Sequence, residues 1–370
     1  MEERKRDSNL EVYRIITMLL IIAHHYVGNS GLLSDQAVYS APLSFKSLFL
    51  LFFGAWGKMG INCFVLITGY FMCQSRITAR KFIKLLGEVI FYRVVIYLIF
   101  TLSGYTQFSI TSFMIMFIPV TKIEHNFTPC FLVFYLCIPF LNALVHHLTE
   151  KQHIRLICLS AFLYIILGTI HKVAMNYVSW FAVLFFIASY IRMYPKQCFS
   201  NGKLWALLTL GSITTATISV VIGAKLGVVG NLQMYYYFVS DSNALLAVMT
   251  GISSFMLFKN LKIPHSKFIN TVAASTFGVL CIHAGGDTMR QWLWHDLLNN
   301  VGFYNSPYLL LHAFGSVLGI FIVCTFIDIL RVRFVEMPFF NIFDRYWTKF
   351  EAWYAAIENK LYGKIGISDK

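Results

Sequence analysis

The sequence predicts an all-α integral membrane protein, with about ten transmembrane helices in a single bundle and both termini cytoplasmic. Three observations predict it. Hydrophobic residues make up 58% of the chain, aromatic residues 17% and charged residues only 13%, and no soluble core hides that much apolar surface. The apolar residues collect in runs of about 20, the length that crosses the hydrocarbon layer as a helix. Lys and Arg collect in alternate segments between the runs, the asymmetry that sets orientation in a membrane.

In chain order, the first run is Leu10–Val27, preceded by MEERKRDSNL. It carries Arg14, His24 and His25 and leads to no small-residue cleavage site, so it reads as a retained span and not as a signal peptide. Ser47–Met72, Phe82–Leu102, Phe127–Val145, Ile154–Ile170, Tyr177–Tyr194, Leu204–Ile222 and Asn243–Phe258 follow, each predominantly apolar. Val272–His283 is short and spans only if it extends back through Phe268 and forward past Gly286, and Leu309–Leu330 completes the set. Phe108–Val120 is a further apolar stretch, broken by Pro119 and assigned to the interface. Residues 1–338 therefore form one membrane domain. The tail, 339–370, reads as a cytoplasmic amphipathic helix on the inner leaflet.

Most of the 30 Lys and Arg fall on segments assigned inside: Arg4, Lys5 and Arg6; Arg76, Arg80, Lys81 and Lys84; Lys151 and Arg155; Arg192, Lys196 and Lys203; Lys259, Lys262 and Lys267; then Arg331, Arg333 and the tail. The outer segments hold Lys46, Lys122, Lys172, Lys225 and Arg290. The net charge of +13 is thus a topology signal and not a nucleic-acid surface. The Cys residues show no CxxC pair, and Cys63, Cys137, Cys158, Cys281 and Cys324 sit in apolar runs, where a thiol behaves as a small hydrophobe. Neither a disulfide framework nor a metal site is expected.

Ionisable groups inside spans are costly and so mark function. The first span has Glu11, Arg14, His24 and His25. Arg14 and His25 project from one helical face, within roughly 20° of each other and about 16 Å apart along the axis, whereas His24 points elsewhere. Glu11, three residues before Arg14, shares that face and can pair with the guanidinium. A lone Arg near a boundary snorkels and a lone His packs against a neighbour; both on one face of a span point beyond packing.

The spacing Glu11–Arg14–His25 resembles the first-helix motif of the membrane acyltransferase-3 family. Gly60 to Tyr70 (GINCFVLITGY) is similar to that family's second-span glycine- and phenylalanine-bearing motif, with Thr68 in place of Ser. Arg80, Lys81 and Lys84 stand at its basic position, the two Lys replacing Arg. Cys130 to Asn142 (CFLVFYLCIPFLN) resembles its Tyr-Pro-Asn segment, with Cys130 where Trp is usual. Ser275 to His283 resembles its serine-to-histidine span, with Leu280 for Tyr, and Val335-Glu336-Met337-Pro338 its terminal E-x-P.

The resemblance implies a membrane O-acyltransferase of the bacterial cytoplasmic membrane. It would move an acyl group, acetyl foremost, from cytoplasmic acetyl-CoA or another acyl-CoA to a hydroxyl of an extracytoplasmic or cell-surface glycan. Arg14, Arg80, Lys81, Lys84 and Glu336 would gather at the cytoplasmic ends, where the donor's phosphates arrive. The rise from Arg14 to His25 matches a pantetheine arm in order of length. His25 would be the general base, with an acyl-imidazole less favoured, and His283 would assist. Lys58, Tyr135 and Asn142 are the acceptor-side candidates; Lys58 neutralises an oxyanion, holds an anionic acceptor or snorkels. The expected partners are membrane lipid and a glycan acceptor, a homo-oligomer being compatible, without nucleic acid or metal. The competing reading is a transporter or flippase for a lipid-linked glycan, although no inverted repeat is evident and it has no need of the Arg14/His25 pairing. A polysaccharide polymerase would carry large Arg-bearing outer loops, and the outer loops here are short and poor in basic residues.

Overall fold

In a computed structural model of the chain, the described residues are 8–34, 37–121, 123, 126–171, 173, 176–230, 234–347 and 357. Among them all regular structure is helical, with no strand. The helices are α1 Ser8–Gly28, α2 Phe45–Gly54, α3 Gly57–Met72, α4 Ala79–Leu102, α5 Ile110–Met116, α6 Phe127–His147, α7 Glu150–Ala161, α8 Gly168–Ile170, α9 Tyr177–Met193, α10 Gly202–Gly230, α11 Leu245–Asn260, α12 Lys267–Ala274, α13 Thr276–His283, α14 Asp287–Gln291 and α15 Leu309–Arg331. The chain divides into one unit ending at Thr325 and a second beginning at Phe326. The expectations placed on Arg4, Lys5, Arg6, Lys122, Lys172 and nearly all of the tail after Trp347 lie outside the described residues.

The helices begin where side chains satisfy their first amides. Ser44, Thr78, Ser109, Asn176 and Ser266 each accept from the amide three residues on, opening α2, α4, α5, α9 and α12. Thr149 and Gln152 form a reciprocal capping box at α7. Pro139 sits inside α6 and leaves the carbonyl four residues earlier, that of Tyr135, without its helical donor.

Among the described residues, seven helical segments are long and apolar enough to cross a membrane, and the pair Lys267–His283 and Asp287–Leu297, bent by 91°, makes an eighth if counted as one span. These account for eight of the expected runs. The other two, Tyr177–Met193 and Leu245–Asn260, are apolar helices of 17 and 16 residues, shorter than the length of about 20 residues that crosses unaided. The expected count of about ten thus depends on these two. The short Val272–His283 run does extend forward, but through a sharp corner at Gly285–Gly286. Phe108–Val120 forms only the seven-residue α5, whose last carbonyls receive Arg93 (Nη2 to the Ile115 oxygen, 3.0 Å). That bond gives the intramembrane Arg93 a structural use.

Burial separates an inner layer from a shell. Across Phe45–Met72, 72% of the apolar window is buried, against 17% for Glu150–Ile170, so the second span is core and the α7–α8 hairpin arm faces outward. Glycines set the closest approaches. A β-carbon at Gly60 would lie 2.6 Å from Ile21 of α1, and one at Gly69 2.9 Å from the Ala188 methyl of α9. Asn62, fully buried, ties three segments together: it donates to the Ser242 oxygen at 2.7 Å and accepts from Trp180 Nε1 at 3.0 Å.

Polar contacts collect at two levels. At one, Asn9 bonds the carbonyls of Phe258 and Lys259, Ser8 bonds Asn270, and Arg192 bonds Tyr70 and Gln74. At the other, Lys46 bonds the Asn305 oxygen, His295 the Asn29 oxygen and Tyr237 the Thr169 oxygen.

Candidate active site

The second span is two helices, α2 and α3, broken at Ala55–Trp56, and the break is made by α1. His24 Nδ1 lies 2.6 Å from the Gly54 oxygen and donates to this helix-end carbonyl. A β-carbon at Gly57 would overlap the His24 side chain. His24 is therefore a structural cap, pressed into a seat only glycine leaves open.

His25 turns the other way and meets the C-terminal end of α13. Its Nδ1 lies 3.0 Å from His283 Nε2, and His283 Nδ1 lies 2.6 Å from the Val279 oxygen. A carbonyl only accepts, so His283 carries its proton on Nδ1 and presents a lone pair at Nε2. His25 must then donate from Nδ1. Its own lone pair is left at Nε2, the position from which a neutral imidazole takes a proton. His283 is buried and His25 half-buried, so the second ring is fixed and the first retains an approach.

The corner after His283 brings further charge. Arg290, one turn into α14, bonds Asp287 at 3.0 Å. Lys58, second residue of α3, donates to Tyr177 Oη at 2.9 Å.

At the other end of α1, Arg14 pairs with Glu11 at 3.4 Å, and Glu11 is buried. The i,i+3 pairing read from sequence is present. Arg80, Lys81 and Lys84 lie exposed in the first turns of α4, with Lys81 Nζ 2.9 Å from the Arg76 oxygen. Cations there oppose the helix macrodipole. Helices α1 and α4 both pack against α13.

Three candidates serve contacts not foreseen from sequence. Asn142 Nδ2 donates to the Met72 oxygen at 3.0 Å, joining α6 to the last turn of α3. Tyr135 is half-buried, its ring 6.4 Å from Phe131. Glu336 accepts from Arg331 at 2.9 Å, and Arg331 also bonds Asp328 at 2.8 Å, all within the second unit. The π turn Val332–Glu336 makes that five-residue pairing possible, because it brings residues i and i+5 onto one face.

A family model described as an acyltransferase domain, that of the acyltransferase 3 family, matches residues 7–328. The chain belongs to the acyltransferase 3 family. No curated protein and no solved structure matches it. As an acyltransferase 3 protein it is a membrane acyltransferase, and the motif residues sort accordingly. Glu11–Arg14 and His25–His283 are brought together as pairs, at opposite ends of α1. Sequence reasoning missed Tyr177, Arg290 and Asn62. Tyr177 begins a span, where an aromatic reads as an interfacial ring; Arg290 reads only as an outer-loop charge. Asn62 was open to detection as an amide inside an apolar motif, since most buried polar side chains are hydrogen-bonded.

Proposed function

We propose that this protein transfers an acyl group, acetyl foremost, from a coenzyme A thioester to a hydroxyl of an extracytoplasmic glycan, with His25 Nε2 as general base. The observation that supports it is the chain from the Val279 carbonyl through His283 to His25, which leaves one basic nitrogen in a span that is otherwise packed. His25 takes the hydroxyl proton as the oxygen attacks the acyl carbon, and His283 holds the ring in the tautomer able to do so.

The donor's anionic phosphates bind near Arg14, Lys81 and Lys84. Arg14 is kept charged and oriented by the buried Glu11 carboxylate. The axial rise of about 16 Å from Arg14 to His25 lets an extended thioester arm reach the base from that side, while the acceptor arrives from the other. The test is mass spectrometry of the surface glycan from a deletion strain, its parent, and the deletion complemented with His25→Ala. Loss of acyl mass in the deletion, restored by the parent gene and not by the variant, is the expected result. An unchanged glycan in the deletion strain sinks the acceptor assignment.

A further inference from the structure

We propose that Lys58, held in place by Tyr177, stabilises the oxyanion that forms beside His25 during acyl transfer, with Tyr177 as its positioning residue. The inference rests on the acyltransferase reading above. In the transfer, the hydroxyl oxygen bonds to the acyl carbon, the proton passes to His25 Nε2, and the carbonyl electron pair moves onto oxygen as the oxyanion. The pair then re-forms the carbonyl as the C–S bond breaks, and the departing thiolate takes the proton back from His25. The negative charge on the carbonyl oxygen exists only between these events, so a fixed positive group beside it lowers the barrier without strengthening ground-state binding.

Lys58 has the placement for this. The preceding residue, Gly57, is seated against His24, which fixes the first turn of α3 beside the residue adjoining His25. The His24 ring that Gly57 abuts lies 5.8 Å, centroid to centroid, from the His25 ring. A lysine near a membrane boundary ordinarily extends its ammonium into water; this one instead donates to Tyr177 Oη at 2.9 Å, with the ammonium 5.6 Å from the ring centroid. Tyr177 is itself buried, 1% exposed, and stacked on Phe181 at 5.6 Å, so the anchor is rigid. An ammonium has three donors, and the phenol uses one.

Charge balance separates Lys58 from the other nearby cation. Arg290 is already bonded to the Asp287 carboxylate, whereas the hydrogen-bond partner of Lys58 is a neutral phenol. A group meant to meet a transient anion is best left uncompensated until the anion forms.

The experiment uses the full-length protein in detergent or nanodiscs, with acetyl-CoA as donor and water as acceptor, following thiol release. Water removes any contribution from acceptor binding. Lys58→Met is expected to lower kcat for thiol release by about 10²–10³-fold, leaving KM for acetyl-CoA unchanged. Lys58→Arg should recover part of the loss. Tyr177→Phe, which keeps the stacked ring and removes only the hydroxyl, should reduce kcat by about 10-fold, since it loosens the lysine without removing it. Lys46→Met, at the same level but bonded to the Asn305 oxygen, is the control and should match the parent. If hydrolysis is unchanged in folded Lys58→Met while glycan acylation falls, Lys58 is an acceptor anchor and the inference is overturned. If Tyr177→Phe equals the parent, its positioning role fails. If the parent protein releases no thiol, the donor reading fails and takes this inference with it; thiol release lost in His25→Ala but not in Lys58→Met defeats the inference alone.

Discussion

At the scale of single residues, the tautomer of one ring decides whether His25 is a base. His283 sets it by accepting from His25 Nδ1, an interaction a glutamine oxygen can imitate and a leucine cannot. His283→Leu should therefore lower kcat with little change in donor KM, and His283→Gln should recover a substantial part; steady-state kinetics on the purified variants reads the split. Equal activity in both variants would reduce His283 to packing. Arg14 carries a different expectation. Arg14→Ala should weaken acetyl-CoA binding at least tenfold, and Arg14→Lys should recover little, since a point charge does not reproduce a planar guanidinium fork. Unchanged binding in a folded Arg14→Ala protein, measured by calorimetry, would assign that residue to structure. The Glu11–Arg14 pair was legible because helical spacing alone creates it. The His25–His283 bond was not, since it joins residues distant in sequence, and neither periodicity nor charge says which nitrogen faces which. The Glu336–Arg331 bond was not legible either, because a π turn changes which residues share a face.

At the scale of elements, the second span shows where local reading stops. Ser47–Met72 is one continuous apolar run with no proline, so the sequence predicts one helix. The structure breaks it at Ala55–Trp56 because His24 caps the Gly54 carbonyl and fills the space over Gly57. The cause lies in another helix. Gly57→Ala forces its methyl into the His24 ring and should sharply reduce the folded, monodisperse fraction in detergent, whereas Gly87→Ala, where a β-carbon meets nothing within 4 Å, should leave it unchanged. Similar folded fractions for both variants would remove the account of the break. The Asn62 junction predicts a related defect: Asn62→Leu orphans Trp180 Nε1 and the Ser242 oxygen, at about 1–3 kcal/mol for each buried group left unsatisfied. The runs themselves, their order and the reversal at each loop were readable because hydrophobic length is a direct physical requirement of the bilayer.

At the scale of the whole molecule, the basic residues alternate in sequence between segments expected inside and segments expected outside, and the Glu11–Arg14 and His25–His283 pairs stand at opposite ends of α1. The positive-inside asymmetry then orients the protein. Single cysteines placed in a cysteine-free background near each terminus should be labelled only from the cytoplasmic side, and ones near Lys122 and Arg290 only from outside; a terminus labelled from outside would reverse the sidedness. The central claim is that donor binding and proton transfer occupy separate ends of α1. The direct measurement pairs acetyl-CoA binding with acyl transfer to the surface glycan in His25→Ala. The account predicts parental donor affinity together with a transfer rate lowered by about 10²–10⁴-fold, and near-parental transfer in the folded variant would contradict it.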